Sequence, residues 1–386
     1  MNDASLYEGR EQTLVKHLIL SKYLERFAII IGFNWASITY VDCFSGPWKS
    51  RSEEFKDTSF SIALGELRKA REVHRKRGSD LRLRSFFLEK SPSAYARLKR
   101  FSDEITDVEI KTHNGELETS VDAIIHFVKQ DPKTFPFIFI DPTGWTGFAM
   151  QDIGPLLKLN PSEVLINFIT GHIERFIESP QEQTRESFLR LFGSDEFKSR
   201  LEGLQRQDRE DAIVMEYCDS VRRTGRFKHV APAIVLHPNF NRTHFHLIYA
   251  TRNDKGLEVF KEAEKKAMAE MEHARAQAQK RSRERKTGQG ELFNSEAMHD
   301  RSYYESLRSR YLSRAEEIVL RQLMSKRRLP YDDAWALALS QPLIWENDLR
   351  EFLGQWYKQG KLTIEGLIGR QKAKHNSGHV LVWRGN

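Results

Sequence analysis

The chain has 386 residues, of which 39% are hydrophobic and 30% charged, which is enough apolar material for packed cores and excludes a disordered protein. Its length predicts two domains rather than a single core. The 61 Lys and Arg outnumber the 54 Asp and Glu, giving a formal net charge of +7 that favours polyanionic partners.

The first two thirds of the chain alternates helical and strand-like segments. Residues 12–31 carry apolar side chains at three- and four-residue spacing, which predicts an amphipathic helix. Alternation of short apolar strands with helices is typical of βαβ units, so we predict an α/β fold with a Rossmann-like, doubly wound, mostly parallel sheet. The predicted strands are 38–44, 83–89, 108–112, 137–140 and 164–169, and the predicted helices between them are 58–74, 91–102 and 116–130.

The segment 174–225 is helical and polar in pattern, which indicates an insertion or cap. Residues 230–236 and 245–251 are predicted to form an antiparallel hairpin that closes the sheet, so that residues 1–255 form the Rossmann-like domain. Residues 257–285 contain no Pro or Gly and predict a helix with a strongly basic far end. With the TGQG stretch at 287–290, this helix is expected to form a charged linker over 256–302.

Residues 303–386 predict a second domain with helices at 313–326, 331–339 and 346–359. Strands at 361–364 and 379–383 surround a basic loop at 370–375. Helices followed by a two-stranded basic hairpin indicate a winged-helix-like domain, a common nucleic-acid-binding shape. The basic run 275–286 and the basic loop are either solvated surface or a phosphate-contacting footprint, and beside a predicted wing we favour nucleic acid, RNA or DNA, as a partner.

Candidate binding residues lie where the predicted strands end, because doubly wound sheets bind ligands beyond the carboxyl ends of their strands. Gly46, in the turn YVDCFSGPW, would let the backbone approach a ligand closely, or it serves the turn alone. Glu89 ends the second strand, where it would accept hydrogen bonds from ribose hydroxyls, or it begins the next helix. Asn114 could border an adenine ring, although Asn-Gly is also a plain turn signal.

The loop DPTGW follows the strand FIFI, so Asp141 is expected to point into the cleft. Methylation of an amino group needs an acceptor that aligns the exocyclic nitrogen and an aromatic face that stacks the extruded base. Asp141 and Trp145 could fill these roles as catalytic residues. The alternatives are that Asp141 caps a helix and that Trp145 packs in the core.

Four motifs together resemble the three-Cys-motif partner (TcmP) family, over about residues 10–265. They are T-x-x-K-H-x-x-L from Thr13 to Leu20, YVDCFSGPW, FIDPTGWTG, and HFHLIYATRNDKGLEVFK ending at Lys261. The resemblance implies a class I methyltransferase-type fold, with a winged-helix tail in some members that residues 303–383 fit. It also implies a neighbouring partner protein whose three-cysteine motif resembles the cluster ligands of radical enzymes.

The Lys-His helix, the D-x-x-x-G turn and the DP loop also resemble the J-type ribosomal RNA adenine methyltransferases. This resemblance implies S-adenosylmethionine as the cofactor and Asp141 as a catalytic residue. The cofactor contacts that it implies are Lys16 and His17 at the methionine end, Asp42 and Gly46 at the turn, and Glu89 at the ribose.

Two functions are therefore expected from the sequence. The first is a methyltransferase that uses S-adenosylmethionine and acts on nucleic acid. The second is a non-catalytic Rossmann scaffold or adaptor that works with a three-cysteine-motif, radical-SAM-like partner protein. The loop favours the second, because it reads DPTGW where amino-methyltransferases read DPP followed by an aromatic residue.

Location and metal binding are predicted from what the sequence lacks. The N-terminus has no apolar signal-peptide core and no run of about 18 apolar residues occurs, so no membrane association is expected. Cys43 and Cys218 stand far apart, which is typical of a cytoplasmic protein without a disulfide framework. His237, His244 and His246 have no acidic or cysteine companion nearby, so no metal is expected.

Overall fold

The computed structural model describes residues 4–46, 50–52, 54–177, 179, 181–204, 206–289, 295, 298–367 and 371–385. Several residues singled out in the sequence lie outside this set: Pro47 and Trp48 of the first turn, Gly290 of the linker, and Arg370 of the basic loop. The chain divides into two units, the first ending at His299 and the second beginning at Asp300.

The first unit contains a seven-stranded sheet in the order β3-β2-β1-β4-β5-β7-β6, in which only the pairings of β7 are antiparallel. Strands β1, β5 and β6 are buried along their whole length, as expected of apolar strands covered on both faces. The order and directions confirm the predicted Rossmann-like, doubly wound sheet and its closing hairpin. The strands are β1 Ser37–Asp42, β2 Arg82–Glu89, β3 Glu109–Asn114, β4 Thr134–Ile140, β5 Glu163–Phe168, β6 His229–Leu236 and β7 Thr243–Thr251.

Helices cover both faces of this sheet. Helices α2 and α3 begin at the capping side chains of Thr58 and Ser91, each of which accepts the backbone N–H of the third helical residue, Ser61 or Ala94. One layer contains α1, α2 and α10, and the other contains α4, α5 and α9. The helices are α1 Glu11–Ile31, α2 Ser59–Arg75, α3 Pro92–Asp103, α4 Leu117–Lys129, α5 Met150–Leu157, α6 Thr170–Phe176, α7 Glu182–Phe192, α8 Glu196–Leu201, α9 Arg206–Gly225 and α10 Asp254–Thr287.

Two segments differ from the sequence prediction in their packing. The segment predicted as a polar cap is helical, but Phe188 and Tyr217 in it are fully buried and join the core against the sheet. Helix α10 packs along α1 and belongs to the first unit, so it is not a separate charged linker. Its basic end is partly neutralised within the unit, because Arg275 is 1% exposed and pairs with Glu272, and Arg281 pairs with Glu11.

The second unit contains helices and a three-stranded antiparallel sheet in the order β8-β10-β9. The three predicted helices and two predicted strands are confirmed, while the three-residue strand β8 is too short to give a periodic signal. Its elements are α11 Ser302–Lys326, β8 Arg328–Pro330, α12 Tyr331–Leu339, α13 Glu346–Lys358, β9 Leu362–Glu365 and β10 Val380–Trp383. Over the described residues of both units, the helices include none that is long and apolar enough to cross a membrane.

A buried carboxyl group joins α1 to the sheet at the amino end of β5. Glu163 is 3% exposed, and its carboxyl oxygens accept hydrogen bonds from Tyr23 Oη and from Thr251 Oγ1, the latter at 2.8 Å. Gly256 packs against this group so closely that a Cβ atom there would lie 2.5 Å from Glu163 Oε1. Burial raises the pKa of Glu163 above its usual 4.5, although the hydrogen bonds from Tyr23 and Thr251 oppose this shift.

We predict that Glu163→Gln makes the protein more stable than wild type near pH 8 but not near pH 4. A raised pKa means that the folded state binds the proton of Glu163 more tightly than the unfolded state does. The protonated carboxyl therefore adds to the free energy of unfolding below pH 4.5, and this contribution is lost as the pH rises through the folded-state pKa. Glutamine keeps an acceptor and carries no charge. Urea denaturation of both proteins at the two pH values measures the difference.

The control is Glu163→Ala, which leaves the Tyr23 and Thr251 hydroxyls without this acceptor and should cost about 1–3 kcal/mol near pH 4, and less near pH 8, where it also removes the buried charge. If the glutamine variant is less stable than wild type near pH 8, the buried carboxyl is not a source of pH-dependent instability.

Candidate functional site

A cleft of about 740 Å³ opens at the carboxyl edge of the seven-stranded sheet. It is lined by residues that follow β1, β2 and β4 and by the first turns of α1, including Phe44, Glu89, Asp141 and Lys16. The strand order reverses between β1 and β4, the position at which doubly wound sheets bind ligands. The volume lies in the range of small-molecule sites.

A smaller cavity of about 390 Å³ lies at the opposite, amino edge of the sheet. Charged side chains line it, but they pair with one another: Arg84 with Glu109, and Arg82 with Asp131. Doubly wound sheets bind ligands at their carboxyl edge, so the larger cleft is the candidate site.

An ion pair connects α1 to the loop after β4. Lys16 Nζ contacts Asp141 Oδ2, and Asn167 Nδ2 at the end of β5 donates a hydrogen bond to Asp141 Oδ1 at 2.7 Å. The Lys16 ammonium also lies 6.0 Å from the centre of the Phe245 ring on β7. Two elements distant in sequence, α1 and β5, thus hold one carboxylate in a fixed orientation at the cleft.

His17 lies beside Lys16 on the cleft wall. Burial, with a further contribution from the positive charge of Lys16, lowers the pKa of His17 well below 6.5. Tyr7 Oη lies 2.9 Å from His17 Nδ1 and fixes the ring. His17 is therefore a neutral hydrogen-bonding group at neutral pH.

Arg10 and Asp57 also line the cleft and were not singled out in the sequence. Arg10 Nη2 donates to Asp57 Oδ2 at 2.6 Å, and Ser50 Oγ and the Arg51 N–H also donate to this carboxylate, at 2.5 and 3.0 Å. Burial raises the pKa of Asp57, but these three donors outweigh it and lower the pKa overall. No spacing motif marks this pair, because its partners are polar residues in separate segments.

Asp42 lies beneath the cleft rather than on its wall, which differs from the cofactor contact that the resemblance implied. Its carboxylate accepts hydrogen bonds from Ser59 Oγ at 2.6 Å, the Phe44 N–H at 3.1 Å and Tyr40 Oη at 3.1 Å. Full burial, with the negative charge of Asp141 adding to it, raises the pKa of Asp42 to about 6 although the hydrogen bonds oppose the shift. Asp42 thus fastens the turn after β1 to the start of α2, and Gly46 in that turn lines the cleft.

Glu89 lines the cleft, whereas Asn114 does not. The Ser91 N–H donates to Glu89 Oε1 at 2.6 Å, which orients the carboxylate at the end of β2. Asn114 Nδ2 donates to the backbone oxygens of Glu89 and Lys90 at 2.7 and 3.2 Å. Asn114 therefore ties the end of β3 to the end of β2, and its neighbour Gly115 faces the cleft.

The structure brings the DPTGW loop to the cleft but turns its tryptophan away. Trp145 stacks on Phe188 at 5.8 Å and packs against Phe176 at 5.2 Å, and its Nε1 donates to Ser187 Oγ at 3.2 Å. Trp145 therefore packs against its aromatic neighbours and does not offer its face to an extruded base. Across the described part of the chain, no three His, Cys, Asp or Glu side chains group to hold a metal ion.

Comparison with models of protein families found no match, and comparison with curated proteins found none either. Among solved structures, a Legionella pneumophila protein of the DUF519 family is 13% identical, with a TM-score of 0.35 over 61% of this chain and 84% of its own. A Thermobifida fusca protein described as a candidate methyltransferase is 11% identical, with a TM-score of 0.35 over 63% of this chain and 83% of its own. A loganic acid methyltransferase with SAH is 10% identical, with a TM-score of 0.31 over 68% of this chain and 83% of its own.

At this identity and overlap these likenesses carry no conclusion about activity. The strand order and the reversed β7 define the chain as a protein with a methyltransferase-like Rossmann fold. What the cleft binds is a separate question.

We predict that Trp145→Ala lowers the free energy of unfolding by about 2 kcal/mol, because it removes a partly buried ring from an aromatic cluster. Trp145→Phe, which keeps an aromatic ring in the same place, should cost less than half as much. Urea denaturation measures both values. An alanine variant as stable as wild type would show that the ring does not pack in the cluster.

Proposed function

We propose that the protein is a methyltransferase that uses S-adenosylmethionine and acts on nucleic acid. The observation that supports this best is a single cleft at the strand reversal, whose wall includes Lys16, Glu89 and Asp141 from three separate elements. Lys16 supplies a positive charge, Glu89 an acceptor for ribose hydroxyls and Asp141 an acceptor for the amino group that is methylated.

The lining of the cleft fits the cofactor part by part. Phe44 and Leu88 supply apolar surface for an adenine ring, and Glu89 supplies a carboxylate for ribose hydroxyls. Arg10 and Lys16 lie on the α1 side, where each would donate a remaining N–H to a methionine carboxylate while it keeps its pairing with Asp57 or Asp141. When bound, S-adenosylmethionine supplies an electrophilic methyl group.

Asp141 would position the amino group that receives the methyl group. Each carboxylate oxygen has two lone pairs, and Lys16 and Asn167 occupy one on each oxygen. A lone pair therefore stays available to accept a hydrogen bond from the amine and orient its nitrogen. Because Lys16 and Asn167 hold one carboxylate oxygen each, the amine would be aligned without reorganisation of the site.

The second unit supports a nucleic-acid substrate. Its element order of helix, strand, two helices and two strands is that of a winged helix, which we propose it to be. Lys372 and Lys374 are exposed in the segment between β9 and β10, where a wing would contact phosphates.

Membership of the three-Cys-motif partner family, and kinship with the J-type ribosomal RNA adenine methyltransferases, stay part of this proposal. The Lys16–Asp141 pair supports both, because it joins the Lys-His helix to the DP loop, which are two of the motifs that carry each resemblance.

A non-catalytic adaptor for a three-cysteine-motif partner is the second candidate function. The orientation of Trp145 favours it, because the tryptophan of the DPTGW loop stacks on Phe188 and offers no face to a base in the cleft. The adaptor would bind the cofactor without methyl transfer.

We predict that wild-type protein binds S-adenosylmethionine and that Glu89→Gln weakens binding about 10-fold or more, because a charged acceptor for the ribose hydroxyls is lost. Glu104→Gln, which changes an exposed carboxylate outside the cleft, should bind like wild type. Isothermal titration calorimetry measures all three affinities. Failure of the wild-type protein to bind contradicts the proposed cofactor.

We predict that Asp141→Asn lowers methyl transfer by about 100-fold while cofactor binding is kept, because the amide presents a weaker and differently arranged acceptor to the amine. Transfer of labelled methyl groups to total RNA and to total DNA measures the rate, and Asp103→Asn on the exposed face of α3 is the matched control. Equal incorporation by Asp141→Asn and wild type removes Asp141 from the reaction. Cofactor binding without transfer by wild type favours the adaptor.

A further inference from the structure

Two phenylalanines are exposed beyond the carboxyl ends of strands in the first unit. Phe240 is 59% exposed in the loop between β6 and β7, and Phe176 is 38% exposed at the end of α6, which follows β5. An arginine lies over each ring, Arg242 at 5.6 Å from Phe240 and Arg175 at 6.0 Å from Phe176. Each pair offers an aromatic face beside a positive charge.

The topology places both pairs on the same edge of the sheet as the cleft. Strands β5 and β6 run parallel with β7 between them, so their carboxyl ends lie about 10 Å apart at a strand spacing of about 4.8 Å. Phe176 packs on Trp145 of the loop that lines the cleft, and Phe245 at the start of β7 lies beside the Lys16 ammonium. Both pairs therefore lie beyond the carboxyl ends of strands, on the edge of the sheet where the cleft opens.

The loop that carries Phe240 is held in place from beneath. The buried guanidinium of Arg275 donates to the His237 backbone oxygen at 3.2 Å and to Asn241 Oδ1 at 2.9 Å. The His237 ring lies 4.7 Å from the Phe240 ring. An exposed aromatic ring on a loop fixed by a buried arginine is organised before any ligand arrives, which lowers the entropy cost of binding.

We propose that Phe240 and Phe176, with Arg242 and Arg175, form a stacking platform for single-stranded nucleic acid at the edge of the sheet where the cleft opens. Aromatic faces stack bases of any sequence, and neighbouring arginines contact phosphates and bases. The inference rests on the proposed function, for which it names the form of the substrate and the residues that hold it. A target base would leave the strand beside these rings to reach Asp141.

The chain offers a matched control at the other edge of the sheet. Phe33 is 56% exposed with Arg77 at 5.3 Å from its ring, so this pair has the same chemistry as the Phe240 pair. It lies between α1 and β1, at the amino ends of the strands and away from the cleft. Phe33→Ala therefore tests whether position, and not chemistry alone, produces binding.

The test is fluorescence anisotropy of the full chain with labelled oligouridine and oligodeoxyuridine of about 12 nucleotides, which differ only in the 2′-hydroxyl, and with an abasic strand of equal length. Phe240→Ala and Phe176→Ala should each weaken binding about 5-fold to about 150-fold, while Phe33→Ala stays within about twofold. Affinity for the abasic strand should be unchanged by Phe240→Ala. Arg242→Ala should reduce the slope of log affinity against log salt by about 0.7.

Within the same proposal, tighter binding of the ribose strand would identify the substrate as RNA, and tighter binding of the deoxyribose strand would identify it as DNA. The proposal is overturned if wild type binds no oligonucleotide, or if Phe240→Ala and Phe33→Ala bind equally well. Calorimetry with S-adenosylmethionine on the same Phe240→Ala protein separates the two claims, because cofactor affinity should not change. Loss of oligonucleotide binding with intact cofactor binding supports the platform, whereas failure of wild type to bind the cofactor counts against the proposed function alone.

Discussion

The ion pair between Lys16 and Asp141 is the contact on which the site depends. It joins the helix before the first strand to the loop after the fourth. Asn167 on the fifth strand donates a hydrogen bond to the same Asp141 carboxylate. Both side chains are mostly shielded from water, so removing either partner would leave a charge without compensation. The pair therefore stabilises the position of α1 over the sheet and fixes a carboxylate in the cleft with the same contact.

The two edges of the sheet use polar residues differently. At the amino edge, Arg84 pairs with Glu109 and Glu163 is enclosed by hydroxyls, which holds strands and helices together. At the carboxyl edge, Glu89 and Asp141 face a cleft, and Phe240 and Phe176 are exposed beyond the ends of β6 and β5. This division is expected of a doubly wound sheet, because loops at the carboxyl ends are free to vary while the strands keep the core.

Sequence patterns predicted the alternating elements and the closing hairpin, because apolar periodicity reports burial directly. The same patterns predicted that Lys16 and Asp141 lie at one cleft, because the strands of a parallel sheet end at a common edge. They did not predict that Asp42 turns toward Ser59 on α2 or that Asn114 turns toward the backbone at the end of β2, since the direction of a side chain at a strand end depends on partners distant in sequence. The sequence prediction assigns helix α10 to a linker outside the first domain, because its charged composition does not reveal which of its residues are buried against α1.

A structure of the protein in complex with S-adenosylhomocysteine tests the central claim most directly. It should show the adenine against Phe44 and Leu88, the ribose hydroxyls within hydrogen-bonding distance of Glu89, and the sulfur atom facing the Asp141 carboxylate. A ligand bound outside this cleft, or one that leaves Glu89 and Asp141 without contact, would contradict the assignment of the cleft as a methyl-transfer site.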